Sequence, residues 1–160
     1  MTAVDDHSDR ALAAAGTLGL SYEVTRHGPV RSLEEAAAAR GLEPAQVVKT
    51  IVVRLSDDEY RFVLVPGDRE IAWPKLRTLL GVNRLSMPSA DIAYQATGYV
   101  RGTITPLGST TAWPVVADTA VTGKVSLGAG AHGVAVTVDA DELVSALGAT
   151  VADVTDPSGG

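Results

Sequence analysis

Residues 47–66 read VVKTIVVRLSDDEYRFVLVP, and this stretch decides the fold. Two apolar runs, at 47–55 and 60–66, are rich in Val, Ile and Leu, and β-branched residues of this kind favour extended backbone. The polar segment from Ser56 to Glu59 lies between them and is typical of a hairpin turn. We therefore expect a buried β-hairpin at the centre of the chain.

A single lysine interrupts the first run. On a strand, Lys49 shares one face with Val47 and Ile51, because side chains alternate between the two faces. Burial of an unpartnered ammonium is strongly unfavourable, so the side chain must leave by the strand edge, pair with an acid or face a cavity for a negative ligand. The pattern alone favours the first alternative.

Helices and further strands are predicted on both sides of the hairpin. The best-marked helix is 33–40, because Ser32 is a good N-cap, Glu35 follows at N3 and Gly41 ends it. The other predicted helices are 9–18, 74–80, 89–96 and 139–147, and the other predicted strands are 21–26, 112–117, 124–127 and 133–138.

Strands dominate the centre and helices lie at both ends, which predicts an α+β fold with a mixed, barrel-like β-sheet flanked by helices. No stretch is long enough to be a linker, so we expect a single domain over residues 9–155. The polar ends, 1–8 and 156–160, are expected to be flexible termini.

Composition narrows the chemistry. The chain has no cysteine, which excludes disulfides, thiolate metal sites and a cysteine nucleophile. It begins without a secretory signal pattern and contains no run of about 18 apolar residues, so we expect a cytoplasmic protein without a membrane partner.

The negative charge is unevenly distributed. Net charge is −6, but residues 41–124 contain nine Lys or Arg and eight Asp or Glu, which leaves −7 for the remainder. The centre is thus close to neutral, which weakens the objection to a nucleic-acid partner without predicting a basic patch.

Two glycine-rich segments follow the hairpin. Residues 128–133 fit the pattern G-x-G-x-x-G, but a strand rather than a helix follows, so we interpret them as a tight turn and not as a dinucleotide site. Residues 97–108 contain three glycines and Pro106, which indicates a loop of fixed shape. Successive backbone N–H groups in such a loop can bind an oxyanion or a carbonyl oxygen.

No conventional catalytic group is evident. The histidines, His7, His27 and His132, lack metal-ligand spacing, and there is neither a G-x-S-x-G elbow nor a suitable carboxylate pair. We expect no metal and no cofactor. Any chemistry must then depend on positioning and on the substrate itself.

Two motifs together resemble the YbaK / prolyl-tRNA-synthetase-associated editing-domain family. One is the pair Lys49-Thr50 on a strand after a helix, and the other is the G-x-x-x-P segment 102–106, some fifty residues later. The resemblance runs from about Leu20 to Asp153 and includes the turn at 128–133.

The resemblance implies a small mixed α/β fold and trans hydrolysis of the ester of mischarged aminoacyl-tRNA. The amino acid would be small, such as Cys or Ala on tRNA-Pro, and the reaction substrate-assisted. An aminoacyl-tRNA synthetase is a further partner that the family allows. The alternatives are a non-catalytic module that binds aminoacyl-adenosine-like ligands or a synthetase, and a plain structural domain.

The resemblance also implies site residues. The implied catalytic residues are Lys49 and Gly102. The implied substrate-binding residues are Thr50, Thr103, Ile104, Thr105, Pro106, His27 and Gly130.

Overall fold

A computed structural model describes residues 6–158 of the chain. In chain order its elements are α1 (Ser8–Thr17), β1 (Tyr22–Arg26), α2 (Leu33–Arg40), β2 (Val48–Ser56), β3 (Glu59–Pro66), β4 (Arg69–Ile71), α3 (Trp73–Leu80), α4 (Ala90–Thr97), β5 (Val115–Asp118), β6 (Lys124–Gly128), β7 (Val134–Asp139), α5 (Ala140–Leu147), β8 (Thr150–Ala152) and β9 (Thr155–Pro157). None of the helices in this range combines the length and apolar character needed to cross a bilayer.

The strands form three sheets. The central sheet has the order β2-β3-β5-β8, with β2 and β3 antiparallel and β5 parallel to both of its neighbours. The sheet β1-β7-β6 is antiparallel, and β4 pairs with β9. The predicted single-domain α+β class with a mixed sheet is confirmed.

The predicted barrel-like closure needs correction. Within residues 6–158 no closed barrel forms: the two larger sheets meet only at an isolated bridge between Val47, just before β2, and Ser126 of β6, and β1 and β8 at their other edges do not pair. A ladder that stops after one bridge leaves the two larger sheets as separate units with a gap between them.

The predicted hairpin is confirmed as β2 and β3, and its side chains pack on both faces. Val52 and Phe62 belong to the larger hydrophobic core, whereas Val53 and Val63 belong to a smaller core on the opposite face. A sheet covered on both sides has no polar face, which explains the nearly continuous apolar run.

Capping residues set the helix boundaries. The Ser32 hydroxyl accepts a hydrogen bond from the Glu35 N–H at 3.0 Å, and α2 ends at Gly41, whose φ is 71°. The predicted helices and strands agree with the structure to within one residue at each end, except that β5 begins three residues later than predicted, at Val115.

Three strands were not predicted. β4, β8 and β9 have three residues each, too few to show a period, and they exist because neighbouring strands pair with them.

The termini differ from the prediction where the structure describes them. Ser8 is buried and starts α1, and Asp156 and Pro157 pair with β4. The rest of the predicted flexible ends, residues 1–5 and 159–160, lies outside the described residues. The domain limits 9–155 stay a prediction.

Arg10 of α1 closes the loop that follows α4. Its Nε donates to the Gly108 carbonyl and its Nη2 to the Gly98 carbonyl, both at 2.8 Å. One guanidinium therefore holds the two ends of an eleven-residue segment, 98–108, together.

Tyr99 fills the space beneath that loop. Its ring is buried, the Arg10 guanidinium lies 4.5 Å from the ring centroid, and its hydroxyl donates to the Leu107 carbonyl at 2.6 Å. Burial raises the pKa of Tyr99, and the hydrogen bond and charge of Arg10 partly oppose this. These contacts give the loop a fixed shape.

Gly108 is expected to be intolerant of a side chain. Its φ is 73°, and a Cβ would lie 2.6 Å from the Arg10 carbonyl oxygen. We expect Gly108→Ala to lower the free energy of unfolding by about 3 kcal/mol, from strain in the left-handed region and from overpacking. Equilibrium unfolding in urea measures the change.

Gly123→Ala is the matched control. Gly123 has a φ of 68° but open space around it. Only the backbone strain applies there, so the expected loss is about 1 kcal/mol. Equal losses in the two variants would show that the close approach of Arg10 does not constrain the loop.

Candidate functional site

A cavity of about 520 Å³ opens between β2, the start of α4 and the loop that follows α4. We call this cavity the main arm, to distinguish it from a second cavity that adjoins it. It brings together Lys49 and Gly102, the two predicted catalytic residues. Its lining comprises Arg40, Val47, Val48, Lys49, Thr50, Ile51, Val52, Met87, Pro88, Ala90, Ala93, Arg101, Gly102, Ile104 and Gly128.

The outer edge of β2 faces the main arm with open backbone groups. Arg54 exchanges hydrogen bonds of 2.8 and 3.2 Å with Ser86, so its N–H and C=O point away from β3. Backbone direction repeats every two residues, so Val52 and Thr50 point the same way. Within residues 6–158 neither has a backbone partner on that side, and the edge therefore offers donors and acceptors to a ligand.

Lys49 lies at the mouth of the main arm. Its Nζ donates to the Arg69 carbonyl at 2.7 Å, which leaves two of the three ammonium protons for other acceptors. The side chain is exposed, yet partial burial lowers the pKa of Lys49, against the opposing charges of Glu70 and Asp68. The lysine thus leaves the strand edge, as the pattern favoured, and lines a cavity as well.

The G-x-x-x-P segment reaches the main arm through two residues. Gly102 and Ile104 line it, and no protein acceptor within the described residues pairs with either N–H. Gly102 has a φ of 91°, and a Cβ there would lie 3.1 Å from Cε1 of His132. Glycine thus leaves space between the loop and His132 and keeps the backbone accessible from the cavity.

Four other predicted residues, three of them in this segment, do not line the cleft. Thr103 and Thr105 are buried, and their hydroxyls bond to the loop's own backbone at 2.7 and 3.2 Å. The Gly130 N–H donates to the Thr103 carbonyl at 3.1 Å, and Pro106 is buried. None of these four lines either cavity, so the structure gives them contacts that support the loop. Their role in substrate binding stays a prediction.

A second cavity, of about 500 Å³, adjoins the first and is called the second arm. The two cavities share Arg40, Gly102 and Gly128, so they adjoin, and we call the pair the branched cleft. His27 and His132 also line the second arm. Of the predicted site residues, only Gly102 lies in both arms.

His27 has a defined tautomer in the second arm. Its Nδ1 lies 2.8 Å from the Gly28 carbonyl oxygen, and since a carbonyl only accepts, Nδ1 carries the proton. Its Nε2 is buried and has no hydrogen-bond partner in the described part of the chain. With the proton on Nδ1, Nε2 is an acceptor in the neutral form of the ring.

Sequence reasoning missed Arg40. In the sequence, Arg40 is a cation at the C-terminal end of α2, where a positive charge is favourable. Only the tertiary fold brings it to both arms. With Lys49 and Arg101 it makes three cations on the cleft wall, and no Asp or Glu of residues 6–158 lines either arm. The cleft is therefore positive although the chain carries a net charge of −6.

Comparisons with known proteins identify similar sequences and structures over most of the chain. Residues 27–146 match the family model of the aminoacyl-tRNA editing domain. The proline–tRNA ligase of Geobacter sp. strain M21 is 34% identical over 102 residues. That alignment covers 64% of this chain and 18% of the ligase, so the chain spans less than a fifth of this curated relative.

Two solved structures are similar over almost their whole length. The crystal structure of a protein described as a candidate trans-editing enzyme for prolyl-tRNA synthetase has a TM-score of 0.84 and 26% identity, and the match covers 93% of this chain and 96% of that one. The crystal structure of a hypothetical protein has a TM-score of 0.82 and 27% identity, with 92% and 99% covered.

The environment of Lys49 can be checked by lysine titration. The chain has three lysines, at positions 49, 75 and 124. We expect Lys49 to lose its proton at lower pH than Lys75, because burial lowers the pKa of Lys49, whereas hydrogen bonds to Asp156 and Asp153 raise that of Lys75. NMR titration of lysine labelled at Cε measures both.

Two variants complete this titration. Lys49→Arg removes one signal and so assigns it. Glu70→Gln removes a charge that favours the ammonium, and should move the Lys49 midpoint to still lower pH. If Lys49 and Lys75 titrated together, the partial burial of Lys49 would be contradicted.

Proposed function

The chain belongs to the aminoacyl-tRNA editing domain family, and on that premise we propose that it is a trans-acting aminoacyl-tRNA deacylase. It would hydrolyse the ester bond of a mischarged tRNA. The trans-acting part is supported by the similar structure described as a candidate trans-editing enzyme for prolyl-tRNA synthetase.

The observation that carries the proposal is the composition of the main arm. Lys49 supplies ammonium donors at its mouth, and Gly102 and Ile104 supply backbone N–H groups within it. No carboxylate in the described part of the chain lines the cavity, so none of these residues repels a phosphate or competes for these donors. An aminoacyl ester at the end of a tRNA carries both the carbonyl and the phosphates that such donors recognise.

The proposed substrate is a small amino acid, such as Cys or Ala, on tRNA-Pro. The tRNA is suggested by the proline–tRNA ligase that shares this domain. A small side chain fits a wall built from Val52, Ala93 and Ile104. Because the protein as a whole is acidic, we also propose that an aminoacyl-tRNA synthetase helps to hold the tRNA.

The chemistry needs no resident base. Water adds to the ester carbonyl carbon, the bond to the ribose oxygen breaks, and the ribose leaves as a hydroxyl with a proton from the water. Lys49 and the N–H groups of Gly102 and Ile104 would stabilise the oxyanion that develops. The attacking group is oriented by position and by the substrate's own hydroxyl or side chain, which is substrate-assisted catalysis.

A deacylation panel tests this function. Wild type and Lys49→Ala are each incubated with tRNAs charged with Cys, Ala, Ser or Thr, and released amino acid is measured. We expect wild type to release at least one small amino acid, and Lys49→Ala to lose about 100-fold or more in rate, as for other donors to a developing oxyanion. Lys124→Ala, an exposed lysine outside both arms, should behave as wild type.

The outcomes separate the alternatives. No turnover by wild type, together with a rise in melting temperature on adding aminoacyl-adenosine analogues, would favour the non-catalytic binding module. Neither turnover nor binding, with unchanged stability of Lys49→Ala, would favour a structural domain. Equal turnover by wild type and Lys49→Ala would contradict the role of the lysine.

Gly102 provides a second test on the same reaction. A methyl group at Gly102 would project toward His132 and strain a residue whose φ is 91°. We expect Gly102→Ala to lower kcat/KM about tenfold or more, because the wall of the cleft and its N–H are displaced.

The control again uses Gly123→Ala. It carries similar backbone strain, with a φ of 68°, at a position that lines neither arm. It should lose comparable stability and keep its turnover. Full activity in Gly102→Ala would contradict a part for this residue in the site.

A further inference from the structure

Arg40 is an unpaired cation in the wall of the branched cleft. Its Nη1 donates to the Ser126 hydroxyl at 3.3 Å, while its Nε is buried and has no partner within the described residues. It takes part in no ion pair there either. Burial lowers the pKa of Arg40, but an arginine remains charged in this setting.

The position of Arg40 at the end of α2 does not account for these features. A cation near a helix C-terminus is favourable because it interacts with the last carbonyls. A side chain in solvent would provide the same interaction, so burial is not needed for it. Instead, the guanidinium is partly desolvated and leaves a buried donor unsatisfied, which destabilises the free protein and favours a ligand that completes the hydrogen bonding.

The second arm offers complementary groups around Arg40. His27 presents an acceptor at Nε2, and the ring of His132 lines the same cavity. Among the residues that the structure describes, no carboxylate lines this arm. A cationic donor beside an unsatisfied acceptor fits a ligand that carries both an anionic group and a hydroxyl, and a nucleotide has both.

We propose that the second arm binds the 5′-phosphate of the terminal adenosine of the tRNA, with Arg40 donating to the phosphate oxygens and His27 accepting from a ribose hydroxyl. This rests on the proposed function. The ester and the 5′-phosphate are attached to one ribose, so their sites must adjoin. The two arms do adjoin, at Arg40, Gly102 and Gly128. Lys49 lines the main arm and not the second, and is then left for the aminoacyl group.

The test compares binding of AMP, adenosine and inorganic phosphate by calorimetry, on wild type and Arg40→Gln. We expect wild type to bind AMP about tenfold or more tightly than adenosine, as for a charge-assisted hydrogen bond. AMP should also bind more tightly than inorganic phosphate, because the nucleoside occupies the adjoining space. Arg40→Gln should bind AMP and adenosine alike, and Arg40→Lys should keep part of the difference.

The matched control is Arg77→Gln, which removes the same charge from α3, outside both arms. It should retain the wild-type preference. Thermal unfolding of each variant shows whether it is folded, and the wild-type comparison alone tests the site if Arg40→Gln is not.

Four results would overturn the proposal. They are equal or undetectable binding of AMP and adenosine by wild type, inorganic phosphate binding as tightly as AMP, an intact preference in folded Arg40→Gln, and an equal loss of preference in Arg77→Gln. Hydrolysis is a separate readout. A protein that prefers AMP but releases no amino acid has the phosphate site without the deacylase activity, and one that hydrolyses without the preference has the reverse.

Discussion

The contact of Arg10 with both ends of the loop after α4 is the constraint on which the site depends. A guanidinium is planar and can bind two carbonyls at once, here those of Gly98 and Gly108. A loop with this much glycine would otherwise sample many conformations. With its ends held and Tyr99 packed beneath, the backbone at Gly102 is kept opposite β2. The helix α1, which lines neither arm, is therefore part of how the site is built.

The site also depends on the gap between the two larger sheets. Had pairing with β6 continued beyond the bridge from Val47 to Ser126, it would have covered the outer edge of β2 at Thr50 and Val52. An open strand edge exposes unpaired backbone groups and is usually covered. Here α4 and its loop cover it at a distance, and the space between is the main arm.

Local patterns predicted much of the fold, but they did not identify the cleft. The caps at Ser32 and Gly41 and the hairpin of β2 and β3 depend on neighbouring residues, so the sequence predicts them well. Lys49 and Gly102 could be paired only through a family resemblance, and the structure places both on one cavity. The sequence did not identify Arg40 as a cleft residue, because the residues around it come from distant segments of the chain. The three short strands escaped prediction for the same reason.

β5 makes the central sheet depend on the whole chain. It pairs in parallel with β3, where Phe62 lies opposite Val115, and with β8, where Val116 lies opposite Thr150. Parallel neighbours cannot be joined by a tight turn, so long loops must close before these pairings form, and such non-local contacts slow folding. The lining of the cleft runs from His27 to Val134. A chain still emerging from the ribosome can thus form the hairpin early, but it has no cleft until nearly all of the domain has been made.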